Sequence, residues 1–270
     1  QKRPMGRVMK PLREMGASIE GKNDNFCPLT LFPSELHGIE YRLPVASAQL
    51  KSAILLAGLY AEGQTTVIEP APSRDHTERM FRALGVEIET NGSTITLDPP
   101  EDLHAVDIAV PGDISSAAFF LVAGTIVPGS ELTIKNVGVN PTRTGVLDVL
   151  RDMGADITES NFRDEAEPMC DLTVKYSKLH GVEVGGAIIP RLIDELPVIA
   201  VAAAFAEGET VIRDAQELKV KESNRIAAMV TELTKAGVDV EETDDGMIVH
   251  GDINVALTFE RIYPVWSYSS

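Results

Sequence analysis

Aromatic residues and cysteines are scarce in this chain of 270 residues. Phe, Trp and Tyr make up 5% of the sequence, which argues against an aromatic-rich binding module. The two cysteines, Cys27 and Cys170, do not have the spacing of a metal site. We therefore expect both to be small packing residues in a reduced, cytoplasmic protein.

Long apolar runs and an excess of positive charge are also missing. The longest apolar runs, 53–61 and 117–127, are shorter than the about 20 residues that a membrane-spanning helix needs. The net charge of −17 makes nucleic acid and anionic membrane surfaces poor candidates for partners. An anionic small molecule would therefore have to bind where the few cations cluster.

The residues that the chain does have are largely aliphatic, and an internal repeat organises them. Hydrophobic residues make up 44% of the chain, mostly Ala, Val, Ile and Leu, which favours an α/β fold. The clearest marker of the repeat is a glycine that ends a helical pattern and precedes a short strand, which we interpret as a C′ cap. The four glycines of this kind are Gly16, Gly85, Gly154 and Gly237.

Each complete repeat also contains an Ala-rich helix, predicted over 48–60, 115–126 and 196–205. These helices are apolar on almost every side, so we expect them to be buried. The unit reads as buried helix, strand, amphipathic helix, glycine cap, strand, turn and strand. In the first complete copy the turn is predicted at Asn91-Gly92, whereas the second copy has a longer polar connection over 161–168.

The two ends of the chain differ from the repeat. The chain opens within a unit, with a helix predicted over 4–15, which suggests that further sequence precedes it. From about residue 254 the pattern is lost. Between the ends, we place a domain boundary near Ala109, where a polar link follows the first complete unit.

One short stretch packs three cations and an acid into seven residues, with Lys219, Lys221 and Arg225 around Glu222. A helical pattern continues from Ile226, so Lys221 and Arg225 would share one helix face. Cations at the start of a helix suit a phosphate or carboxylate, and a carboxyl group between them could exchange a proton. A solvated helix start with ordinary charge pairing explains the same pattern.

Polar residues at the starts of other helices are further candidates. Ser47 stands where the first apolar helix begins, and with Ala48 and Gln49 it could hold phosphate or hydroxyl oxygens. A plain helix cap is an equal alternative. Ser73 and Arg74 precede an amphipathic helix, where Arg74 could face an anion.

Asp194 stands at the mouth of the third apolar helix. It is either a partner of the helix dipole or a general base beside a bound hydroxyl. The sequence contains no Walker-type nucleotide loop, no His, Cys and carboxylate set for a metal, and no nucleophile elbow. These absences leave the helix starts as the candidate sites.

Seven segments together resemble the 5-enolpyruvylshikimate-3-phosphate synthase family of enolpyruvyl transferases. They are 2–5 (KRPM), 44–52 (PVASAQLKS), 73–80 (SRDHTERM), 111–118 (PGDISSAA), 140–145 (NPTRTG), 193–197 (IDELP) and 219–226 (KVKESNRI). Each segment alone is a weak signal, but all seven occur in the order typical of the family, which makes the set specific.

The resemblance implies an α/β fold of two similar inside-out α/β barrel domains. Each domain would be built from βαβαββ units, with helices inside and sheets outside. Residues 1–109 would form the later part of the first domain. Residues 110–270 would form most of the second, with an atypical tail from about residue 254.

The resemblance also implies a reaction, in which the enolpyruvyl group of phosphoenolpyruvate moves to the 5-hydroxyl of shikimate 3-phosphate and phosphate leaves. No metal or organic cofactor would be needed, these two small molecules would be the partners, and the protein would be a monomer. Asp194 would be the base on the 5-hydroxyl, and Glu222 the proton carrier at the methylene carbon. The substrate-binding residues would be Ser47, Ala48, Gln49 and Lys221 for shikimate 3-phosphate, Ser73 and Arg74 near its phosphate, and Arg3, Arg225 and Gln49 for phosphoenolpyruvate.

Two other interpretations remain at this point. The UDP-N-acetylglucosamine enolpyruvyl transferases share the fold, although the segments 73–80 and 219–226 argue against them. The chain could also be inactive, because several motifs that contribute substrate ligands in the family are not found in it. These are the N-terminal Lys-Ser…Arg segment, the Asn-Ala-Gly-Thr loop, the Asp-His-Arg motif and the last cationic segment.

Overall fold

A computed structural model of the chain describes residues 4–220 and 223–253, with the side chain of Val220 left out. The described residues up to Val110, together with Glu165–Glu167, form one compact unit. Pro111–Asp164 and the residues from Pro168 onward form a second. The assignment of 1–109 and 110–270 to parts of two enolpyruvyl transferase domains stays a prediction, and the atypical tail from about residue 254 lies outside the described residues.

The first unit contains one complete copy of the repeat and a partial copy before it. Its helices are α1 (Gly6–Glu14), α2 (Ala48–Gly58) and α3 (His76–Ala83). Its strands are β1 (Ser18–Lys22), β2 (Phe26–Phe32), β3 (Leu36–His37), β4 (Glu40–Arg42), β5 (Ala61–Glu62), β6 (Thr65–Ile68), β7 (Ile88–Asn91) and β8 (Thr94–Leu97). A four-stranded sheet has the order β4-β6-β8-β7, in which β4 runs parallel to β6 and the other pairs are antiparallel.

The second unit contains the other two copies of the repeat. Its helices are α4 (Ile114–Ile126), α5 (Gly145–Asp152), α6 (Ile189–Leu192), α7 (Leu196–Ala204) and α8 (Arg225–Lys235), with 3-10 turns at Gly186–Ile188 and Gln216–Val220. Its strands are β9 (Glu131–Gly138), β10 (Asp156–Asp164), β11 (Pro168–Lys175), β12 (Leu179–His180), β13 (Glu183–Val184), β14 (Ala206–Ile212), β15 (Asp239–Glu242) and β16 (Met247–Gly251). Strands β9, β10 and β11 form an antiparallel sheet, and β12 to β16 form the other sheet.

The first and the last of the three copies of the repeat have the same topology. In the first copy β4 is parallel to β6, and in the last copy β13 is parallel to β14. In both copies the closing hairpin adds to the sheet antiparallel, through β8 and through β16. The predicted βαβαββ unit is therefore confirmed in these two copies. Each of the two compact units has its own hydrophobic core among the described residues.

The glycine caps are also confirmed. Gly16 has φ +100°, its N–H donates to Arg13 O, and the N–H of Ala17 donates to Leu12 O. These two bonds are those of a Schellman motif. The motif needs a residue in the left-handed backbone conformation, which glycine adopts without strain. The same pair of bonds recurs at Gly85, Gly154 and Gly237.

Two predicted connections were wrong in detail. Asn91 pairs with Thr94, so the turn residues are Gly92 and Ser93, one position later than predicted. Of these two, Gly92 alone has a positive φ, as a turn with glycine at its first central position requires. The predicted polar connection over 161–168 is mostly strand, since β10 runs to Asp164 and β11 starts at Pro168.

A bulge explains why the polar residues of 161–168 lie in a strand. The pairing of β10 with β11 shifts between Ser160 and Arg163, and Asn161 adopts φ +53° there. The amide of Asn161 donates to Asp171 Oδ2 at 2.8 Å, which gives this polar side chain a partner within the hairpin. Polarity therefore marks an exposed, bulged strand here and not a loop.

The prediction that all three Ala-rich helices are buried was correct only for α7. In that helix, all residues except Pro197 and Val201 are buried. In α4, Phe119 and Phe120 are 65% and 59% exposed, and in α2, Leu56 is 47% exposed. An apolar sequence shows that a helix prefers burial, but how much of its surface is covered depends on its neighbours. In the described part of the chain, no helix is long and apolar enough to cross a bilayer.

Candidate functional site

Seven of the ten predicted site residues are described by the structure. Ser47, Ala48, Gln49, Ser73 and Arg74 lie in the first unit, and Asp194 and Arg225 lie in the second. The other three, Arg3, Lys221 and Glu222, lie outside the described residues.

Ser47 caps the start of α2. Its backbone is extended, and its hydroxyl oxygen accepts a hydrogen bond from the N–H of Leu50 at 3.3 Å. Gln49 is exposed, and its Oε1 accepts a hydrogen bond from Arg7 Nη2 at 3.0 Å. A guanidinium from α1 therefore lies beside the start of α2, where backbone N–H groups and the helix dipole already favour negative charge. Sequence analysis missed Arg7, because α1 precedes α2 by many residues and no motif marks it.

Ser73 and Arg74 lie in the turn that leads into α3, and both are partly buried. Glu69 accepts two hydrogen bonds from Ser73. The hydroxyl of Ser73 donates to Glu69 Oε1, and its N–H donates to Glu69 Oε2 at 3.5 Å. Asp75 then occupies the N-cap position of α3, and its carboxylate pairs with Arg79 Nε at 2.9 Å. The carboxylate of Glu69 thus stabilises the turn that contains Arg74.

A buried ion cluster supports this turn. Lys51, on α2, is 1% exposed, and its Nζ lies 3.0 Å from Glu69 Oε2 and 2.6 Å from Glu78 Oε1. Glu69 and Glu78 are 4% and 2% exposed. Buried charges are costly unless they are paired, so these three side chains depend on one another. The sequence signal for the cluster was a lysine within a largely apolar helix.

In the second unit, two predicted site residues meet. Arg225 Nη1 lies 3.3 Å from Asp194 Oδ1, although the two residues are 31 positions apart, and each side chain is about one third exposed. Asp194 directly precedes Glu195, the N-cap of α7, and Arg225 is the first residue of α8. A cation at a helix start is unfavourable for the helix dipole, and the neighbouring carboxylate offsets this cost.

Of the cationic stretch, the structure describes the helix that begins at Arg225, whereas Lys221 lies outside the described residues, so the helix face that it would share with Arg225 stays a prediction. Helix α8 begins at Arg225, and Asn224 is its N-cap, with Oδ1 accepting the N–H of Ala227 at 3.1 Å. Asn224 caps well because its side chain can replace the hydrogen bonds that the first helical N–H groups lack.

A second cluster, whose contacts were not predicted from the sequence, lies next to Asp194 along the chain. The buried carboxylate of Glu195 accepts the hydroxyl of Ser115, and Arg143 Nη2 lies 2.7 Å from Ser115 Oγ and 3.6 Å from Glu195 Oε1. Asp113 caps α4 by accepting the N–H of Ser116 at 3.0 Å. Burial opposes ionisation of Asp113, but the hydrogen bonds from Ser116 and from the N–H of Ser115, together with the charge of Arg143, outweigh it and lower the pKa of this carboxyl.

Comparison with known proteins gives consistent matches. The model of the family described as EPSP synthase (3-phosphoshikimate 1-carboxyvinyltransferase) matches residues 1–268. The 3-phosphoshikimate 1-carboxyvinyltransferase of Geobacillus kaustophilus is 61% identical over 252 residues, covering 93% of this chain and 59% of that protein. That of a Thermoanaerobacter species is 59% identical, covering 93% of this chain and 60% of the relative.

Solved structures agree with these sequence matches. The EPSP synthase of Acinetobacter baumannii superposes with a TM-score of 0.87 at 49% identity, over 93% of this chain and 57% of that one. The enolpyruvyl transferase NikO of Streptomyces tendae superposes with a TM-score of 0.73 at 21% identity, over 92% of this chain and 58% of that one, which supports the fold alone. The α/β fold of the enolpyruvyl transferase type is thereby confirmed. The chain spans about 60% of the length of the curated relatives that it matches.

Proposed function

Because the chain belongs to the EPSP synthase family, we propose that it acts in the transfer of the enolpyruvyl group from phosphoenolpyruvate to the 5-hydroxyl of shikimate 3-phosphate. The contact between Asp194 and Arg225 is the observation that most supports this proposal. It puts a carboxylate and a guanidinium side by side at two helix starts, both partly exposed, where a hydroxyl and an anion could meet them. The predicted monomeric state and cytoplasmic location belong to the same proposal.

The chemistry assigns different tasks to these two groups. The 5-hydroxyl has to lose a proton as its oxygen attacks C2 of phosphoenolpyruvate, and Asp194 accepts that proton. Arg225 binds phosphoenolpyruvate, an anion that competes with Asp194 for the guanidinium. Binding of phosphoenolpyruvate therefore releases Asp194 from its ion pair at the moment when it is needed as a base.

The remaining residues complete the proposed assignment. The methylene carbon of phosphoenolpyruvate takes up a proton from Glu222, and a tetrahedral ketal forms that then loses phosphate. Ser47, Ala48 and Gln49, at the start of α2, hold shikimate 3-phosphate, and Ser73 and Arg74 lie near its phosphate. Lys221 binds the same substrate, and Arg3 and Gln49 reach phosphoenolpyruvate. The exposed start of α2, with Arg7 bonded to Gln49, supports anion binding there.

Calorimetric titration of the chain with shikimate 3-phosphate tests this proposal, with UDP-N-acetylglucosamine as the control ligand. We expect saturable binding of shikimate 3-phosphate, strengthened in the presence of phosphoenolpyruvate, and none of the control. Phosphate release from the two substrates together is then measured on the same sample. Binding of the control in place of shikimate 3-phosphate would refute the proposal.

A further inference from the structure

We propose that Glu69 sets the direction in which the Ser73 hydroxyl donates its hydrogen bond, and that as a positioning residue acting through Ser73 it limits how tightly a phosphate binds. The inference rests on the proposed function, in which Ser73 lies near the phosphate of shikimate 3-phosphate. It concerns Glu69, Lys51 and Glu78, which are all buried in the first unit and lie outside the predicted site residues.

The hydroxyl of Ser73 has one proton, and this proton is directed to Glu69 Oε1. The other carboxylate oxygen, Oε2, accepts from Lys51 Nζ at 3.0 Å. Glu69 is therefore used as an acceptor on both oxygens, and an ammonium group stabilises its negative charge. The lone pairs of Ser73 Oγ therefore remain available to a ligand, whereas its proton does not.

A phosphate monoester well above its second pKa of about 6 is a dianion with acceptor oxygens only. It cannot donate a hydrogen bond to the lone pairs of Ser73. For Ser73 to bind such a phosphate, its hydroxyl has to turn from Glu69 to the ligand, and the charge-assisted bond to the carboxylate has to break. Glu69 thus opposes phosphate binding while it holds the turn in place.

Replacement of Glu69 by glutamine reverses this arrangement. The side-chain amide has one acceptor oxygen and one NH2 donor group, and the ammonium of Lys51 is a donor only. In the Glu69→Gln variant the amide oxygen therefore faces Lys51, and the NH2 group faces Ser73. Ser73 then accepts a hydrogen bond from the amide, and its own proton becomes available to a phosphate.

Glu78 offers a matched control. It pairs with the same ammonium, with Glu78 Oε1 at 2.6 Å from Lys51 Nζ, and it is equally buried. Glu78→Gln therefore removes the same charge from the same cluster. The described contacts of Glu78, however, do not include Ser73. A purely structural or general electrostatic role for the cluster predicts similar effects of the two substitutions.

The test is calorimetric titration with shikimate 3-phosphate at pH 8 of the unchanged chain, Glu69→Gln and Glu78→Gln. We expect Glu69→Gln to bind roughly five- to twentyfold more tightly, since a bond to a charged acceptor no longer has to break. We expect Glu78→Gln to stay within about twofold of the unchanged chain. Unchanged or weaker binding by Glu69→Gln would overturn the inference.

The same titration in a Ser73→Ala background separates the hydroxyl from the charge. We expect the gain of Glu69→Gln to disappear there, and a gain that persists would assign the effect to lost charge and overturn the role of Ser73. Glu69→Asp keeps the charge, but its shorter side chain withdraws the carboxylate from Ser73. It should therefore also bind shikimate 3-phosphate more tightly than the unchanged chain does. This variant replaces Glu69→Gln in the test if the glutamine variant does not fold. If the unchanged chain itself does not bind shikimate 3-phosphate, the proposed function fails. If the chain binds it but Glu69→Gln has no effect, the inference about Glu69 fails and the proposed function stands.

Discussion

Asp194 is the residue on which the proposed chemistry depends most directly. Its carboxylate contacts Arg225 and is about one third exposed, so a substrate hydroxyl can approach it. Asparagine has nearly the same shape but cannot accept the hydroxyl proton. In an active preparation, we expect Asp194→Asn to lower kcat by about 100-fold or more, the range of general-base contributions, with little change in the affinity for shikimate 3-phosphate.

This prediction is checked by measuring phosphate release at saturating substrate together with the calorimetric affinity. Asp148→Asn is a suitable control, because Asp148 pairs with Arg191 at 2.8 Å and was not predicted to touch a substrate. Near-normal turnover by Asp194→Asn would rule out its assignment as the base.

The two cysteines should differ sharply in reactivity. Cys170 is 1% exposed, and burial, with smaller contributions from Glu159 and Asp171, raises the pKa of its thiol to about 11. At pH 8 such a thiol is only about 0.1% thiolate, which is the reactive form. We expect the native protein to react with one equivalent of a thiol reagent, at the partly exposed Cys27, and with a second equivalent only after denaturation.

Peptide mapping of the alkylated protein decides which thiol has reacted. Fast modification of Cys170 in the native state would show that this part of the second unit opens readily.

At the scale of elements, side-chain N-caps begin three of the described α-helices and glycine caps end four of them. Asp113 illustrates this, because its carboxylate accepts both the N–H and the hydroxyl of Ser116 at 3.0 Å. Its pKa is lowered in the folded protein, so its contribution to stability is present above the unfolded pKa of about 3.9 and is lost as the pH falls through the folded value.

Asparagine caps about as well as aspartate but does not titrate. We therefore expect Asp113→Asn to lose less stability than the unchanged chain as the pH falls from about 5 to about 3. Asp113→Ala, which removes the cap, should cost about 1 kcal/mol at pH 7. Urea unfolding at several pH values measures both effects, and parallel pH profiles for the unchanged chain and Asp113→Asn would contradict the prediction.

At the scale of the whole molecule, the described residues form two hydrophobic cores, one in each compact unit. Ile54, on α2, is fully buried in the first core, whereas Leu56 on the same helix is 47% exposed. Ile54→Ala should destabilise the first unit by about 2–5 kcal/mol, through lost burial and the cavity that it leaves. Leu56→Ala should change stability by about 0.5 kcal/mol or less.

Native-state hydrogen exchange measures which strands lose protection when Ile54→Ala destabilises the first unit. We expect the amides of β6 and β8 to exchange faster in Ile54→Ala, while those of β11 in the second unit keep their protection. Equal loss of protection in both units would show that the two cores unfold as one cooperative system.

Local sequence was enough to predict the repeat, the glycine caps and the family. Gly16, Gly85, Gly154 and Gly237 were identified correctly because a Schellman motif depends on the backbone of a few consecutive residues. The helix starts at Ser47 and Asp113 follow from equally local chemistry, the side-chain bond to an unpaired N–H group. The segments that resemble the family are short and contiguous, so they too are readable without a fold.

Tertiary structure alone decided which of these residues meet. Lys51 and Glu69 are 18 positions apart, and Asp194 and Arg225 are 31 apart, so their contacts depend on how helices and turns pack. The exposure of Phe119 and Phe120 depends on the neighbours of α4 in the same way. Local sequence fixes φ, ψ and hydrophobic preference over a few residues, whereas ion pairs and burial arise from surfaces that only packing brings together.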